Sequence, residues 1–258
     1  MIKFTIITAV YNSESVLQRT LDSVLSQHHH EIEHLILDGA SSDHSLELAK
    51  AYKEKSDQMD NDHEIRILSE PDKGLYYAMN KGIELATGDY LLFLNAGDTF
   101  PAADTLDLAA GNIADGEQLP GVLYGETDVV NMEGHFVRHR RLTAPKRLTW
   151  KSFRQGMVVC HQSFYALTRL AKEHPYNTHY RFSADVDWCI RIMKASAQQQ
   201  LPLRNTHLTL TNYLEGGMST QNHRASLKER FEVMASHYGY FQTALMHLWF
   251  VLRSVIKK

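Results

Sequence analysis

Tyr90-Leu-Leu-Phe-Leu-Asn-Ala-Gly-Asp98 is the stretch on which the fold of this chain turns. Its first five residues are apolar or aromatic and run without a break into a short polar turn ending on a carboxylate. An unbroken apolar run of that length fits a strand buried on both faces of a sheet. Asn95 and Asp98 then fall at the strand's carboxyl end, the edge where open α/β sheets hold ligands. An Asp there can hold a hard divalent cation, and a cation can hold a diphosphate. The same residues also make an ordinary turn, since Asn, Gly and Asp are all turn formers. The preceding ninety residues decide between the two.

Upstream, strand and helix alternate. Phe4–Val10 is a β-branched apolar run that stops at Tyr11-Asn12-Ser13, where Asn12 or Ser13 can cap a helix. Leu17, Leu21, Val24 and Leu25 follow at helical spacing. Residues 34–38 form a second strand ending in Asp38-Gly39, and Ser41-Ser42-Asp43 caps the next helix. A third strand, 65–68, closes on Ser69-Glu70-Pro71-Asp72-Lys73-Gly74, and a helix carrying Leu75, Met79 and Ile83 runs to a stop at Gly88. Each crossover is long enough for a parallel βαβ unit, so this half is a doubly wound α/β sheet.

Every strand of this half ends in polar or acidic residues, which is what a nucleotide pocket on one sheet edge requires. No G-x-G-x-x-G follows the first strand and no Walker sequence occurs, so dinucleotide dehydrogenase and P-loop chemistry are poorly supported. A formal net charge of -3 gives no reason to expect nucleic-acid binding. Cys160 and Cys189 have no zinc or redox spacing, so two free thiols in a reducing cytoplasm are expected. Neither a signal peptide nor the roughly 18 apolar residues of a spanning helix can be found.

After Phe100 the alternation loosens. Residues 122–130 and 136–142 read as an antiparallel hairpin about Asn131-Met-Glu-Gly134, 156–165 as a strand, 184–194 as a helix and 208–213 as a late strand. His28-His-His30 reads as an exposed helix end. Arg138 and Arg140 would share one face of a strand, where they could meet a lipid diphosphate. The segment 245–258 joins a broad apolar surface to terminal lysines and could rest at a membrane interface or dock on the enzyme body.

In order along the chain stand Thr8-Ala-Val-Tyr-Asn12, Asp38-Gly-x-Ser-x-Asp43, Ser69-Glu-Pro-Asp-Lys-Gly74, Ala78-Met-Asn-Lys-Gly82, Ala86-Thr-Gly-Asp89 and Phe93-Leu-Asn-Ala-Gly-Asp98. In this register the chain resembles the family 2 glycosyltransferases, inverting enzymes of the GT-A fold. Among them it is similar to the colanic-acid-type members of polysaccharide biosynthesis. The resemblance is dense over residues 4–100 and thinner to about 220. It implies a Rossmann-like, mostly parallel sheet with helices on both faces and a small antiparallel acceptor-side subregion. The expected domain runs over 1–220, with a nucleotide-binding half (1–100), an acceptor half (101–220) and a C-terminal helical extension at 221–258.

The resemblance also implies roles. Nucleotide-binding positions map to Thr8, Ala9, Tyr11, Asn12, Asp38, Asp72, Lys73, Asn95 and Ala96. Thr8 and Tyr11 would line the base pocket, and Asp38 would accept from the uracil ring nitrogen, which favours a UDP-sugar. Asp98 would hold Mn²⁺ or Mg²⁺ at the end of a D-x-D-type motif, although position 95 is Asn and position 97 is Gly. Asp185 would be the general base, with Asp187 second, in Ser183-Ala-Asp-Val-Asp-Trp188. His161 and Gln162 would contact acceptor or phosphate, and Gly216-Gly217 with Ser219 would close over the donor.

The function expected is a hexosyltransferase-type enzyme of the cytoplasm or the inner membrane face. It would move a sugar from a nucleotide donor to a hydroxyl of a glycan or lipid-linked acceptor. The alternatives are a non-catalytic nucleotide-sugar-binding protein and a sugar nucleotidyltransferase. The second would need a basic glycine-rich loop after the first strand, and residues 8–13 offer none.

Overall fold

Tyr90–Phe93 forms β4, and all four residues are buried. The structure, a computed structural model, describes residues 1–216 and 223–256. β4 lies parallel to β1 (Phe4–Val10), which is parallel to β2 (Ile32–Asp38), and β2 to β3 (Glu64–Ser69). The register sets Val10 against Asp38 and Ile7 against Phe93, so the carboxyl ends of these strands share one edge. Helices α1 (Glu14–Leu25), α2 (Ser45–Asp57) and α3 (Leu75–Leu85) make the crossovers.

The apolar spacing is used as read. α1 buries Leu17, Leu21, Val24 and Leu25, and α3 buries Met79 and Ile83. A Cβ at Gly82 would stand 2.6 Å from Ile7 Cγ2, so α3 rests directly on β1. α3 ends at Leu85, short of the expected stop at Gly88. Gly88 instead passes so close to the chain that a Cβ there would lie 2.7 Å from the Lys3 carbonyl oxygen. The polar residues inside β2 are satisfied, as buried polar groups must be. Glu33 accepts from Thr5 Oγ1 at 2.6 Å and Arg66 Nη1 at 3.1 Å. His34 bridges Thr8 and Tyr52, and burial pushes its pKa down to about 3, so it packs as a neutral ring.

The second half adds α4 (Thr105–Ala110), β5 (Val122–Val130), β6 (Phe136–His139), β7 (Phe164–Leu167), α5 (Thr168–Glu173), α6 (Ala184–Gln198) and β8 (Leu203–Leu214). Strand order among the described residues is β3-β2-β1-β4-β7-β5-β6, with β8 paired to β5. β7 is antiparallel to both β4 and β5, β6 is antiparallel to β5, and β8 is parallel to β5. The strand expected over 156–165 is not one. Met157, Val158, Val159 and Cys160 are buried outside any strand, His161–Ser163 is a 3-10 turn, and pairing starts only at Phe164. The histidine run is not an exposed helix end either. His29 is buried between Asp107 Oδ1 and the Ile2 carbonyl, each at 2.7 Å. Helices α7 (His223–Tyr238) and α8 (Tyr240–Ile256) follow, α7 packing on α6 and α8 on α7. No helix among the described residues is long and apolar enough to cross a membrane.

Candidate active site

Two clusters form on the carboxyl edge, one at the end of β1–β3 and one at the end of β4. In the first, the exposed Tyr11 ring leans over Gly39, where a Cβ would sit 3.3 Å from Tyr11 Cδ2 and 3.6 Å from Asp72 Oδ2. A side chain at position 39 would fill the cradle between Tyr11 and Asp72. Asp38 is buried beneath it, its Oδ2 accepting from Ser69 Oγ at 2.6 Å and its Oδ1 from Ser41 N at 3.2 Å. Burial raises the Asp72 carboxyl above its ordinary value; the Lys81 charge opposes this, and the charges of Glu70 and Asp38 add to it.

Asn12 takes the left-handed backbone (φ 47) that Asn tolerates and ties this loop to the next, its Oδ1 accepting from Ser42 N at 2.8 Å. α1 is capped from across the gap and not by Asn12 or Ser13. Asp43 Oδ2 accepts from Glu14 N at 3.0 Å, and Glu14 returns the contact by accepting from His44 N at 2.9 Å. Ala9 is half-buried on β1 and Lys73 is exposed beside Asp72. Thr8 does not line a pocket with its side chain. Its hydroxyl is buried in the sheet, donating to the Leu94 carbonyl at 2.8 Å and meeting His34 Nε2 at 2.9 Å.

The second cluster corrects the assignment of Asp98. The residue is 3 % exposed, and each carboxylate oxygen is held by the protein. Oδ1 accepts from Leu214 N and Oδ2 from Gln162 Nε2, both at 2.9 Å. Burial pushes its pKa up to about 6, although those two hydrogen bonds and the charges of His161 and Arg19 work the other way. Thr20 Oγ1 binds the same turn, donating to the Asp98 carbonyl and accepting from Gly97 N, both at 2.8 Å. Gly97 has φ +98, and a Cβ there would lie 2.6 Å from Leu214 Cδ2. Asn95 is half-buried and its Oδ1 is a buried acceptor with no donor; Ala96 is half-buried beside it. Among the described residues no three His, Cys, Asp or Glu side chains group to hold a metal ion. With both Asp98 oxygens engaged, the β4 turn offers the expected Mn²⁺ or Mg²⁺ no free carboxylate oxygen.

Gln162 likewise faces inward. It is 1 % exposed, its side-chain amide donates to Asp98 Oδ2 and its backbone carbonyl accepts from Thr211 Oγ1 at 3.0 Å, so it braces the sheet. Its neighbour His161 turns the other way and brings Nδ1 to 3.5 Å from Asp185 Oδ2. His161 Nε2 is buried without a partner. Asp185 heads α6, its Oδ1 accepting from Val186 N at 2.9 Å. Burial raises its pKa, but the His161 contact and the Arg230 charge outweigh this and leave it below the ordinary carboxylate value. Asp187, the second candidate, is engaged in ion pairs. Its two oxygens are taken by Arg191 Nε at 2.7 Å and His237 Nε2 at 2.8 Å, on the side of α6 facing α7.

Sequence reasoning missed Glu229 and Arg230 on α7. Glu229 accepts from three successive backbone N–H groups, Arg181 at 3.0 Å, Phe182 at 2.6 Å and Ser183 at 3.1 Å, and so fixes the segment that leads into α6. Arg230 sends its charge onto Asp185. Behind the base, Tyr176 stacks on Trp188 with ring centroids 4.9 Å apart, and Phe93 of β4 meets the same indole edge-on at 5.5 Å. No local signal marks Glu229, because its partners lie more than forty residues away. The basic strand is occupied too: Arg138 pairs with Glu215, His139 with Asp128, and Arg140 donates to the Met157 carbonyl. Of the expected donor loop, Gly217 and Ser219 lie outside the described residues.

The chain is similar to known glycosyltransferases. The model of the family described as Glycosyl transferase family 2 matches residues 5–174. A PGL/p-HBAD biosynthesis glycosyltransferase of Mycobacterium tuberculosis is 35% identical over 219 residues, covering 84% of this chain and 78% of its own length. Among solved structures, S. aureus TarS 1-349 in complex with UDP-GlcNAc aligns with a TM-score of 0.67 at 19% identity, over 90% of this chain and 64% of TarS. The mannosyltransferase PcManGT from Pyrobaculum calidifontis, in complex with GDP-Man and Mn2+, aligns with a TM-score of 0.61 at 16% identity, over 95% of this chain and 74% of its own. The structural neighbours share the GT-A-like fold of a mostly parallel mixed sheet with helices on both sides and C-terminal helices. The chain belongs to glycosyl transferase family 2, and it is a transferase.

Proposed function

We propose that this enzyme moves a sugar, with inversion, from a nucleoside diphosphate donor to a hydroxyl of a glycan or lipid-linked acceptor. The observation that carries the reading is Asp185, a largely buried carboxylate kept ionised by His161 and Arg230 near the end of β4. A base in that state takes the acceptor hydroxyl's proton as its oxygen attacks the anomeric carbon. The anomeric C–O bond to the diphosphate breaks on the opposite face, and its electron pair leaves with the nucleoside diphosphate. His161 Nδ1 stands beside Asp185 Oδ2, so the proton arrives next to an imidazole that orients the carboxylate.

UDP is the nucleotide this edge suits. The Tyr11 ring offers a stacking face over Gly39, and the more loosely held oxygen of Asp38, Oδ1 with Ser41 N at 3.2 Å, is the acceptor left for an imide N–H. Asp38→Ala should weaken UDP binding, measured by calorimetry, by about tenfold or more, while an Asp187→Asn control keeps wild-type affinity. Unchanged affinity in Asp38→Ala would remove that carboxylate from base recognition. A thermal-shift panel of nucleotide sugars then selects the donor.

A face of α8 serves as a contact for the surface of an anionic bilayer. Phe241, Leu245, Leu248 and Trp249 are all at least half exposed along one stripe. Residues 240–258 carry no Asp or Glu, against the basic Arg253, Lys257 and Lys258. An apolar stripe beside basic residues is the composition of an interfacial helix. Wild type should co-sediment with vesicles containing anionic phospholipid, and the combined Phe241→Ser and Trp249→Ser variant should stay in the supernatant. Equal partition of the two proteins would retire the bilayer as the partner.

A further inference from the structure

We infer that the donor diphosphate is held without a divalent metal, and that Asp98 is a clamp on the end of β8; this rests on the nucleotide-donor reading above. A divalent cation needs oxygen ligands free to turn toward it. Of the three positions of the β4 turn that could supply one, two are closed to it and the third offers a single neutral oxygen. At position 98 both carboxylate oxygens are engaged, one by Leu214 N and one by the Gln162 amide. Turning out to a metal would leave both of those buried donors without an acceptor. It would also free the end of β8, which pairs with β5 up to Leu214 opposite Val130.

Position 97 cannot carry a carboxylate at all while Leu214 stands where it does. Its φ of +98 is strained for any L side chain, and the first atom of one would meet Leu214 Cδ2 at 2.6 Å. The residue that fixes Asp98 is thus the same one that excludes a side chain from position 97. Position 95 is an amide whose Oδ1 is buried and unpartnered. One neutral oxygen is a poor hold for Mn²⁺ or Mg²⁺, yet it is well suited to accept from a donor hydroxyl. The charge of Arg19 on α1 acts on Asp98, and Arg19 Nη1 is held at 3.1 Å from the Asn131 and Met132 carbonyls.

The test is calorimetric titration of UDP into the full-length enzyme, once after EDTA treatment and once with Mn²⁺ present. The expected Kd is the same in both buffers to within about twofold, and Asp98→Asn keeps it, because an amide oxygen still accepts from Leu214 N. A Kd tightened about tenfold or more by Mn²⁺ in the wild type would overturn the inference and leave the nucleotide reading standing. A tenfold or greater loss in a folded Asp98→Asn protein would overturn the clamp. Absence of UDP binding in both buffers overturns the nucleotide reading, and the inference with it.

Discussion

Asp185→Asn is expected to lower turnover by about 10²-fold or more while leaving nucleotide affinity unchanged. The substitution keeps the size and one acceptor oxygen of the side chain, so Val186 N retains its partner. What it removes is the basic oxygen facing His161 at 3.5 Å. The pH dependence has a definite sign. Burial works against ionisation, but the His161 contact and the Arg230 charge hold the folded pKa below the ordinary value. The acid limb due to this group therefore lies below the usual aspartate range, and the base is ionised throughout neutral pH. The stability it contributes is fully present above the unfolded pKa and is lost as pH falls through the folded one. Arg230→Ala should move that limb upward with a smaller loss of rate. Asp187→Asn should instead lower thermal stability through Arg191 and His237 and leave the shape of the pH–rate profile alone. A variant at 185 with near-normal turnover would move the base elsewhere.

Glu229→Ala should destabilise the fold by about 2–4 kcal/mol, seen as a fall in Tm of several degrees. Three successive backbone N–H groups, those of Arg181, Phe182 and Ser183, lose a charged acceptor at once. Hydrogen bonds to charged groups contribute about 1.5–3 kcal/mol each, but water can replace part of the set at exposed Arg181. The negative charge near the start of α6 is also lost, which costs about 0.3–1 kcal/mol more. Activity should fall further than stability alone predicts, because the segment that loosens leads directly into Asp185. Glu229→Gln keeps one acceptor oxygen and should lie between the two. A Tm within a degree of wild type for the alanine variant would show that solvent replaces these three hydrogen bonds without penalty.

The parallel half was legible because its signals are local. A buried strand needs only its own apolar run, and β1 and the buried run opening at Tyr90 stand where the pattern places them. The same logic failed at residues 156–165, and the reason is instructive. Met157, Val158, Val159 and Cys160 are as buried as a strand, but they pair with no neighbouring strand, and the turn that follows brings Gln162 to Asp98 and His161 to Asp185. A short apolar run does not say which backbone partner, if any, it will find.

The residues themselves established the doubly wound sheet and the polar edge at its carboxyl end, and the family resemblance pointed to Asp38, Asp98 and Asp185. Tertiary structure alone decided what each carboxylate does there. Asp98 and Asp185 are chemically the same group, and local sequence assigns both to the chemistry. The backbone of Leu214, 116 residues further along, turns the first inward, while His161 and Arg230 keep the second ionised. A side chain's task is set by the donors and charges packed around it, and those come from parts of the chain that no local pattern connects.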